Sequence, residues 1–437
     1  GVQTCALPIS TMQAVSGSFW RIPATFNGAG HVTHRLFASQ ANSGQKKVLD
    51  NGVTIVSAPS SNGLTSVDVV VSAGSRREDS SNRGSTAAIQ YSSFLSTERS
   101  SATRNVRSLE QLGAFASASS STDNLTYSLD CLHAQEKDAL AILAQAVMQP
   151  KRSEYEVKAA LKVASTARDE LLSSGFGWNE YSLMAAAFGG RGLGAEHFLP
   201  AGAKPSLQAV NAFHAATHVG GAITVVGCSA DPAQLTARLS ELLTPLPSGQ
   251  GLGAPAPDTL VPGFASQHAA GAAQTVVSLG VDASTLSAAE RHVAAAMFGP
   301  LLSGEHRPLV GSSSLLGRLN LSGRAVVHPA LVGCIIAIPA GAEALASKHA
   351  KQALEDACKQ ADVEGARARA AVEVALLQST RGGALSALSG NIPSVAEVLA
   401  VQPAAMQTWL AASVKKGVAG AAWGHDVNMW LRPSDWN

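Results

Sequence analysis

Charge is scarce in this sequence. Asp, Glu, Lys and Arg make up 14% of its 437 residues, and the formal net charge at pH 7 is +1. So balanced a chain has no strong electrostatic pull on DNA, RNA or an anionic bilayer, which excludes nucleic acid as a partner. Cysteine is sparser still: Cys5, Cys131, Cys228, Cys334 and Cys358 stand far apart and form no CxxC pair. Such spacing suits buried thiols in a reducing compartment better than a disulfide framework. Long apolar runs are absent too. The run 330–337 falls far short of the ~20 residues of a membrane span and reads as a core strand ending near Pro339. Finally, residues 1–49 contain no acidic residue.

That last absence sits beside Arg21, Arg35, Lys46 and Lys47 among Ser, Thr, Ala and Phe, the composition of a mitochondrial transit peptide. The segment RLFAS at 35–39 has the form of a matrix-protease site, so a transit peptide is expected over 1–37 with a mature start at Ala38. Residues 1–10, which begin without methionine, enter no part of this reading. Hydrophobic residues reach 46%, and a chain of this length has room for two to three domains with sizeable cores.

One stretch organises the rest: GSRREDSSNRGSTAAIQY at 74–91. It follows an alternating strand with Val67, Val69, Val71 and Ala73 on one face. Ser66, Asp68 and Ser72 lie on the other, where Val70 is the exception. A glycine ends the strand, a charged loop follows, and Gly84 releases the chain into an apolar helix expected to reach about Ser96.

This layout resembles the metallopeptidases of the pitrilysin and mitochondrial processing peptidase family. In that family Gly-Ser-Arg-x-Glu is followed by a short loop and by Gly-x-x-His-x-x-Glu-His opening a helix. The inverted motif puts two histidines on one helix face, with the glutamate placed to activate a zinc-bound water. Here Ala87 stands at the first histidine, Gln90 at the glutamate and Tyr91 at the second histidine. Alanine has no donor atom, glutamine is not a base, and a phenol titrating near pH ~10 is a poor zinc ligand. The family's further acidic ligand falls near Asp169 and Glu170, or on Ala167. The resemblance therefore implies a degenerate site with no catalytic residue, no metal and no cofactor.

In chain order, VLDNGVTIV at 48–56 reads as two short strands about a turn at Asp50, Asn51 and Gly52. A helix is expected over 104–112, stopped by Gly113. Residues 114–121 are small and polar. Leu125, Tyr127, Leu129 and Cys131 then alternate with Thr126, Ser128 and Asp130 as a half-buried strand. Leu140, Leu143, Ala144 and Val147 mark a helix ended by Pro150. Further helices are expected over 154–172 and 180–188. The loop GGRGLG at 189–194 lacks both the GxGxxG spacing and a Walker lysine, so it reads as a plain flexible loop. A strand at 223–227 leads to Asp231 and Pro232, a helix cap with proline at the first helical position.

The density of Pro and Gly over 245–263 marks a linker. Beyond it the first half begins again: a strand through Val276, Ser278, Gly280 and Asp282, then a capping box from Ser287 to Glu290. A strand at 332–338 matches the one at Leu125. Helices over 342–358 and 364–378 are read as matching the pair after Pro150. A capping box from Ser394 to Glu397 and a strand at 418–422 complete the parallel. The expected fold is α+β: halves over 48–244 and 264–437, each of sheet plus helices, facing each other across a cavity.

Within the family, from Val48 onward, the chain is most similar to the second of the core proteins of the mitochondrial cytochrome bc1 complex. The helix stop at Leu112 and Gly113 and the strand at Thr126 and Tyr127 fit the family generally. The segment GPLLSGEHRPLVGSSSLL at 299–316 fits the core proteins more narrowly. It carries only Gly299, Gly304 and Gly311 where the peptidase's non-catalytic subunit has a long glycine-rich loop. This resemblance implies a non-catalytic scaffold on the matrix side of ubiquinol–cytochrome c reductase (respiratory complex III), peripheral to the mitochondrial inner membrane. Its partners would be a related core protein and other bc1 subunits. The alternative is the substrate-binding subunit of the processing peptidase. Ala87, Gln90 and Tyr91 argue against an active zinc peptidase.

Other candidates yield less. His214 and His218 are four apart with no carboxylate between them, so packing or surface exposure is the expectation. Glu305 and His306 have no second ligand nearby, and the serines at 312–314 form no GxSxG elbow. Arg76, Arg77 and Glu78 read as a loop charge cluster.

Overall fold

Asn51 and Gly52 turn the chain between its first two strands, β1 (Gln45–Val48) and β2 (Thr54–Pro59), which pair antiparallel with Val48 opposite Thr54. Gly52 has φ +95°, the left-handed region that glycine enters without a Cβ penalty. The computed structural model describes residues 44–60, 63–253, 258–298, 322–359 and 361–436. The expected transit peptide and cleavage site, and the segment 299–316, lie outside the described residues.

Four more strands complete the first sheet: β3 (Leu64–Val71), β4 (Phe115–Ser120), β5 (Leu125–Leu132) and β6 (Ile223–Ser229). Their order is β1-β2-β6-β3-β5-β4, antiparallel except for the parallel pair β2 and β6. The second sheet contains β7 (Phe264–His268), β8 (Gln274–Asp282), β9 (Ser322–Val327), β10 (Leu331–Pro339) and β11 (Ala419–Gly424). Its order β7-β11-β8-β10-β9 repeats β2-β6-β3-β5-β4 position for position, including the single parallel pair β7 and β11. The small polar run 114–121, which gave no strand signal, supplies the edge strand β4 by pairing with β5.

Helices of the first half are α1 (Ser85–Ser92), α2 (Ala102–Gln111), α3 (Glu136–Met148), α4 (Glu154–Ser173), α5 (Gly175–Ala187), α6 (Leu207–Thr217) and α7 (Pro232–Leu243). Those of the second are α8 (Ala288–Met297), α9 (Glu343–Lys359), α10 (Val363–Ser379), α11 (Arg381–Leu388), α12 (Val395–Leu399) and α13 (Pro403–Lys416). Sequence signals at their starts act as expected. Asp231 accepts from Gln234 N with Pro232 in the first turn, and both expected capping boxes form, at Ser287 with Glu290 and at Ser394 with Glu397.

The match between halves differs from the sequence reading in one respect. Helix α9 answers to α3, not to a helix after Pro150, because each follows the same strand and buries the same polar contact. Thr65 Oγ1 donates to Glu136 Oε2 at 2.7 Å in the first half, and Thr275 Oγ1 donates to Glu343 Oε1 at 3.0 Å in the second. A buried carboxylate must be hydrogen-bonded, and in both halves the neighbouring strand supplies the donor. Helices α4 and α5 then answer to α10 and α11 across matching joints. Ser174 Oγ accepts from Gly177 N (3.0 Å), and Thr380 Oγ1 accepts from Gly383 N (3.1 Å).

The halves exchange these joint helices. Helix α5 packs on β7, β8, β10 and β11 of the second sheet, while α11 packs on β2, β3 and β6 of the first. The burial pattern follows from their lengths. Under the 13-residue α5, β8 and β10 are buried at nearly every position; beside the 8-residue α11, β3 and β5 alternate buried and half-buried. The half-buried face of the first sheet is polar, and α11 meets it with charge. Arg381 binds Asp68 through Nη2 (2.9 Å) and Asp130 through Nε (2.5 Å).

Candidate functional site

The stretch that resembles the inverted zinc motif sits in α1, and the loop before it fixes where that helix begins. Gly84 caps the helix with φ +89°, where a side chain would also press on Leu199. No capping side chain comes from Gly84 itself, so the loop provides one. Glu78 Oε2 accepts from Gly84 N (2.7 Å) and Oε1 from Thr86 N (2.6 Å), satisfying two otherwise orphaned donors at the positive end of the helix. Burial raises the pKa of Glu78, an effect opposed by those two hydrogen bonds. The glutamate of the Gly-Ser-Arg-x-Glu pattern is thus a helix cap here.

Side chains along α1 then diverge. Ala87 is 3% exposed and packs with Ala164 of α4 and with Leu199. Tyr91, one turn on, leans half-buried on the same cluster beside Leu161 and Ala203. Among the described residues its hydroxyl has no hydrogen-bond partner, and burial raises its pKa. Gln90 points instead toward the sheet edge: its Nε2 donates to Ala118 O (3.3 Å) and its Oε1 accepts from Ser120 Oγ (2.6 Å). Positions 87 and 91 therefore share a face that is apolar and packed, while position 90 is engaged by β4.

The face that α4 turns toward this helix carries Val157, Ala160 and Ala164. Asp169, five residues beyond Ala164, is rotated about 140° away; its side chain is 68% exposed and pairs with Arg168 at 3.1 Å. Glu170 is exposed as well, and Ala167 is half-buried. Neither acidic candidate comes to the motif. Among the described residues, no three His, Cys, Asp or Glu side chains are grouped so as to hold a metal ion.

Outside this packed face runs a groove of about 830 Å³ between α4 and the segment 199–207. Its floor includes Val157, Leu161, Leu199 and Leu207, and its charged lining is Glu154, Lys158, Lys162, Arg168, Asp169 and Lys204. Positive charge was not visible there in the sequence because Lys204 is remote from α4 along the chain and the net charge is close to zero.

The other candidates find structural roles. His214 and His218 stack at 3.8 Å between centroids, and His218 is 3% exposed. His218 Nδ1 lies 3.2 Å from the carbonyl of His214, which can only accept, so Nδ1 carries the proton and Nε2 accepts from the Tyr127 hydroxyl at 2.8 Å. His214 Nε2 donates to Val147 O. Burial, with the Arg152 charge adding to it, lowers His218 to about 3, and burial beside His218 lowers His214 well below the usual imidazole value. The pair is neutral core packing.

Arg76 and Arg77 do more than the charge cluster expected of them. Arg76 bridges Asp123 and Asp258, each at 2.7 Å, and Arg77 donates to Leu252 O and Gly253 O. Leu252, Gly253 and Asp258 belong to the stretch read as a linker, so both arginines strap it to the first half. Asp258 also accepts from Leu193 N (3.0 Å), which pins the glycine loop expected to be flexible. No sequence pattern links positions 182 apart. Glu305, His306 and the serines at 312–314 lie outside the described residues.

Comparison with known proteins places this geometry. Residues 54–200 match the model of the insulinase family (peptidase family M16), in keeping with the expected resemblance. Mitochondrial-processing peptidase subunit alpha-1 of Dictyostelium discoideum is 27% identical over 179 residues, 37% of this chain and 26% of that protein. Cytochrome b-c1 complex subunit 2 of Homo sapiens is 28% identical over 109 residues, 25% of this chain and 24% of that protein. The ubiquinol-cytochrome-c reductase complex core protein I of Euglena gracilis is 26% identical over 209 residues, 47% of this chain and 42% of that protein. The matched segments span about a quarter of the length of the first two relatives.

Proposed function

We propose, from the insulinase-family match over 54–200 and the packed apolar face that replaces the motif, that this chain is a non-catalytic core subunit. It scaffolds the matrix side of mitochondrial ubiquinol–cytochrome c reductase and pairs with a related core protein. The observation that carries this reading is Ala87 and Tyr91 packed on Ala164 and Leu199, with Gln90 turned to Ser120 and Ala118. A face without imidazole or carboxylate offers zinc no ligand and water no general base. What remains are large surfaces on a rigid double fold, the requirement of a scaffold. Names of relatives support a mitochondrial setting, as does the acid-free, basic segment before Val48.

The processing-peptidase alpha subunits among the relatives favour a second reading, a non-catalytic substrate-binding subunit of that peptidase. Two features weigh against it. The segment 299–316 carries only three glycines, and the groove beside α1 is lined by four cations and two carboxylates, which would repel a basic presequence. Affinity purification of the tagged chain from mitochondria separates the readings. Cytochromes b and c1 should come with it; recovery of a catalytic zinc peptidase in their place would establish the second.

A further inference from the structure

The groove over α4 has features that the scaffold reading does not use. Lys158 and Lys162 project one helical turn apart, Arg168 follows further along the same helix, and Lys204 faces them from the segment 199–207. None of the three lysines forms an ion pair among the described residues, and all three are exposed. Arg168 and Asp169 pair with each other, leaving Glu154 against the three lysines. Beneath the charges the lining is apolar: Leu161, Ala203 and Leu207 are half-buried, and Val157 and Leu199 are buried behind them.

The spacing of the cations decides what they suit. From Lys158 to Lys162 the helix advances about 6 Å, and Lys204 stands on the opposite wall of the groove. A small anion needs donors that converge on one point, as in a bidentate or nested site. Cations strung along a helix above an apolar floor instead complement a chain segment that carries its own charges at intervals. They repel a basic segment and leave the floor uncovered for an ion alone.

We propose that this groove is a docking site for an acidic, amphipathic segment of a partner protein. Its carboxylates would meet Lys158, Lys162 and Lys204, and its apolar residues would cover the half-buried Leu161, Ala203 and Leu207. Charge-assisted contacts on exposed lysines contribute mainly to encounter rate and orientation, while burial on the floor contributes most of the affinity. The site is independent of which complex the chain joins.

A fluorescent 16-residue probe peptide with Leu and Glu at helical spacing tests the proposal on the full-length chain, by anisotropy at low and at moderate salt. The same peptide with Gln for Glu, and with Lys for Glu, serves as control. Saturable binding of the Glu peptide alone is expected. It should weaken roughly tenfold or more in Lys158→Glu/Lys162→Glu/Lys204→Glu, and also in Leu161→Asn, but not in Lys348→Glu/Lys415→Glu, whose lysines lie elsewhere. Circular dichroism melts establish that each variant is folded. Equal binding of the Gln peptide, indifference to the groove substitutions, or equal loss in the distant lysine variant would overturn the proposal. So would displacement of the peptide by millimolar inorganic phosphate, or preferential binding of anionic phosphatidylserine vesicles.

Discussion

Tyr91 stands where the resembled motif has its second histidine, and packing occupies that position. Its ring rests on Leu161 and Ala203 but stays half-buried, with the hydroxyl unpartnered among the described residues. Tyr91→Ala should therefore cost about 1–2 kcal/mol, less than the 3–5 of a fully buried aromatic. Tyr91→Phe should be neutral within about 0.5 kcal/mol. Urea denaturation of both variants measures this, and a large loss from Phe would reveal a hydroxyl contact. His214 and His218 make a pH prediction. Both have folded pKa values below the unfolded 6.5 or so, His218 near 3. The unfolded chain takes up protons that the folded one refuses, so stability falls as pH drops from about 6.5 toward 3. The slope is about 1.4 kcal/mol per pH unit for each histidine. Unfolding midpoints measured from pH 7 to 5 should show the decline, and His218→Gln should make it shallower by up to about 1.4 kcal/mol per pH unit; a variant as steep as the parent would exclude this origin.

Among the elements, the joint helices give the sharpest test. Arg381 holds Asp68 and Asp130, whose side chains are 16% and 31% exposed. Arg381→Ala leaves two carboxylates close together without their cation, at a cost of about 1–2 kcal/mol given partial solvent screening. Asp68→Asn in the same chain should recover part of that loss, and additive losses in the double-mutant cycle would show the pair to be uncoupled. Much at this scale was legible in the sequence. Period-2 alternation located β3 and β5, and Ser–x–x–Glu spacing located two helix starts, because both signals are local. The strand β4 was not legible: its residues are small and polar, and only pairing with β5 makes them a strand. Nor were the exchange of α5 and α11, the Asp258 strap, or the cap supplied by Glu78, since each depends on which distant residues the fold brings together. The resemblance puts the further acidic ligand near Asp169 and Glu170, or on Ala167, and does not choose among them; both carboxylates prove to be exposed.

For the whole molecule, three substitutions should not restore a peptidase. Rebuilding the motif as Ala87→His, Gln90→Glu and Tyr91→His would place imidazoles against Ala164 and Leu199. The new glutamate would lie beside the Ala118 carbonyl. No acidic side chain of α4 reaches that face, so the triple variant should retain no stoichiometric zinc after dialysis and cleave no presequence peptide. Elemental analysis showing about one tightly held zinc per chain would contradict this. The mature N-terminus is expected at Ala38, and Edman sequencing of protein from mitochondria would reveal a start elsewhere.

The exchange of helices also sets a schedule for synthesis. The first sheet receives its last strand at Ser229, but the helix that covers its polar face ends only at Leu388, about 160 residues later. At ribosomal rates of about 5–20 residues per second, that face waits roughly 8–30 s for its cover. Through that interval Asp68 and Asp130 stand without Arg381, and water solvates the polar face that α11 later covers. A chain shortened before Arg381 would remain in that condition permanently.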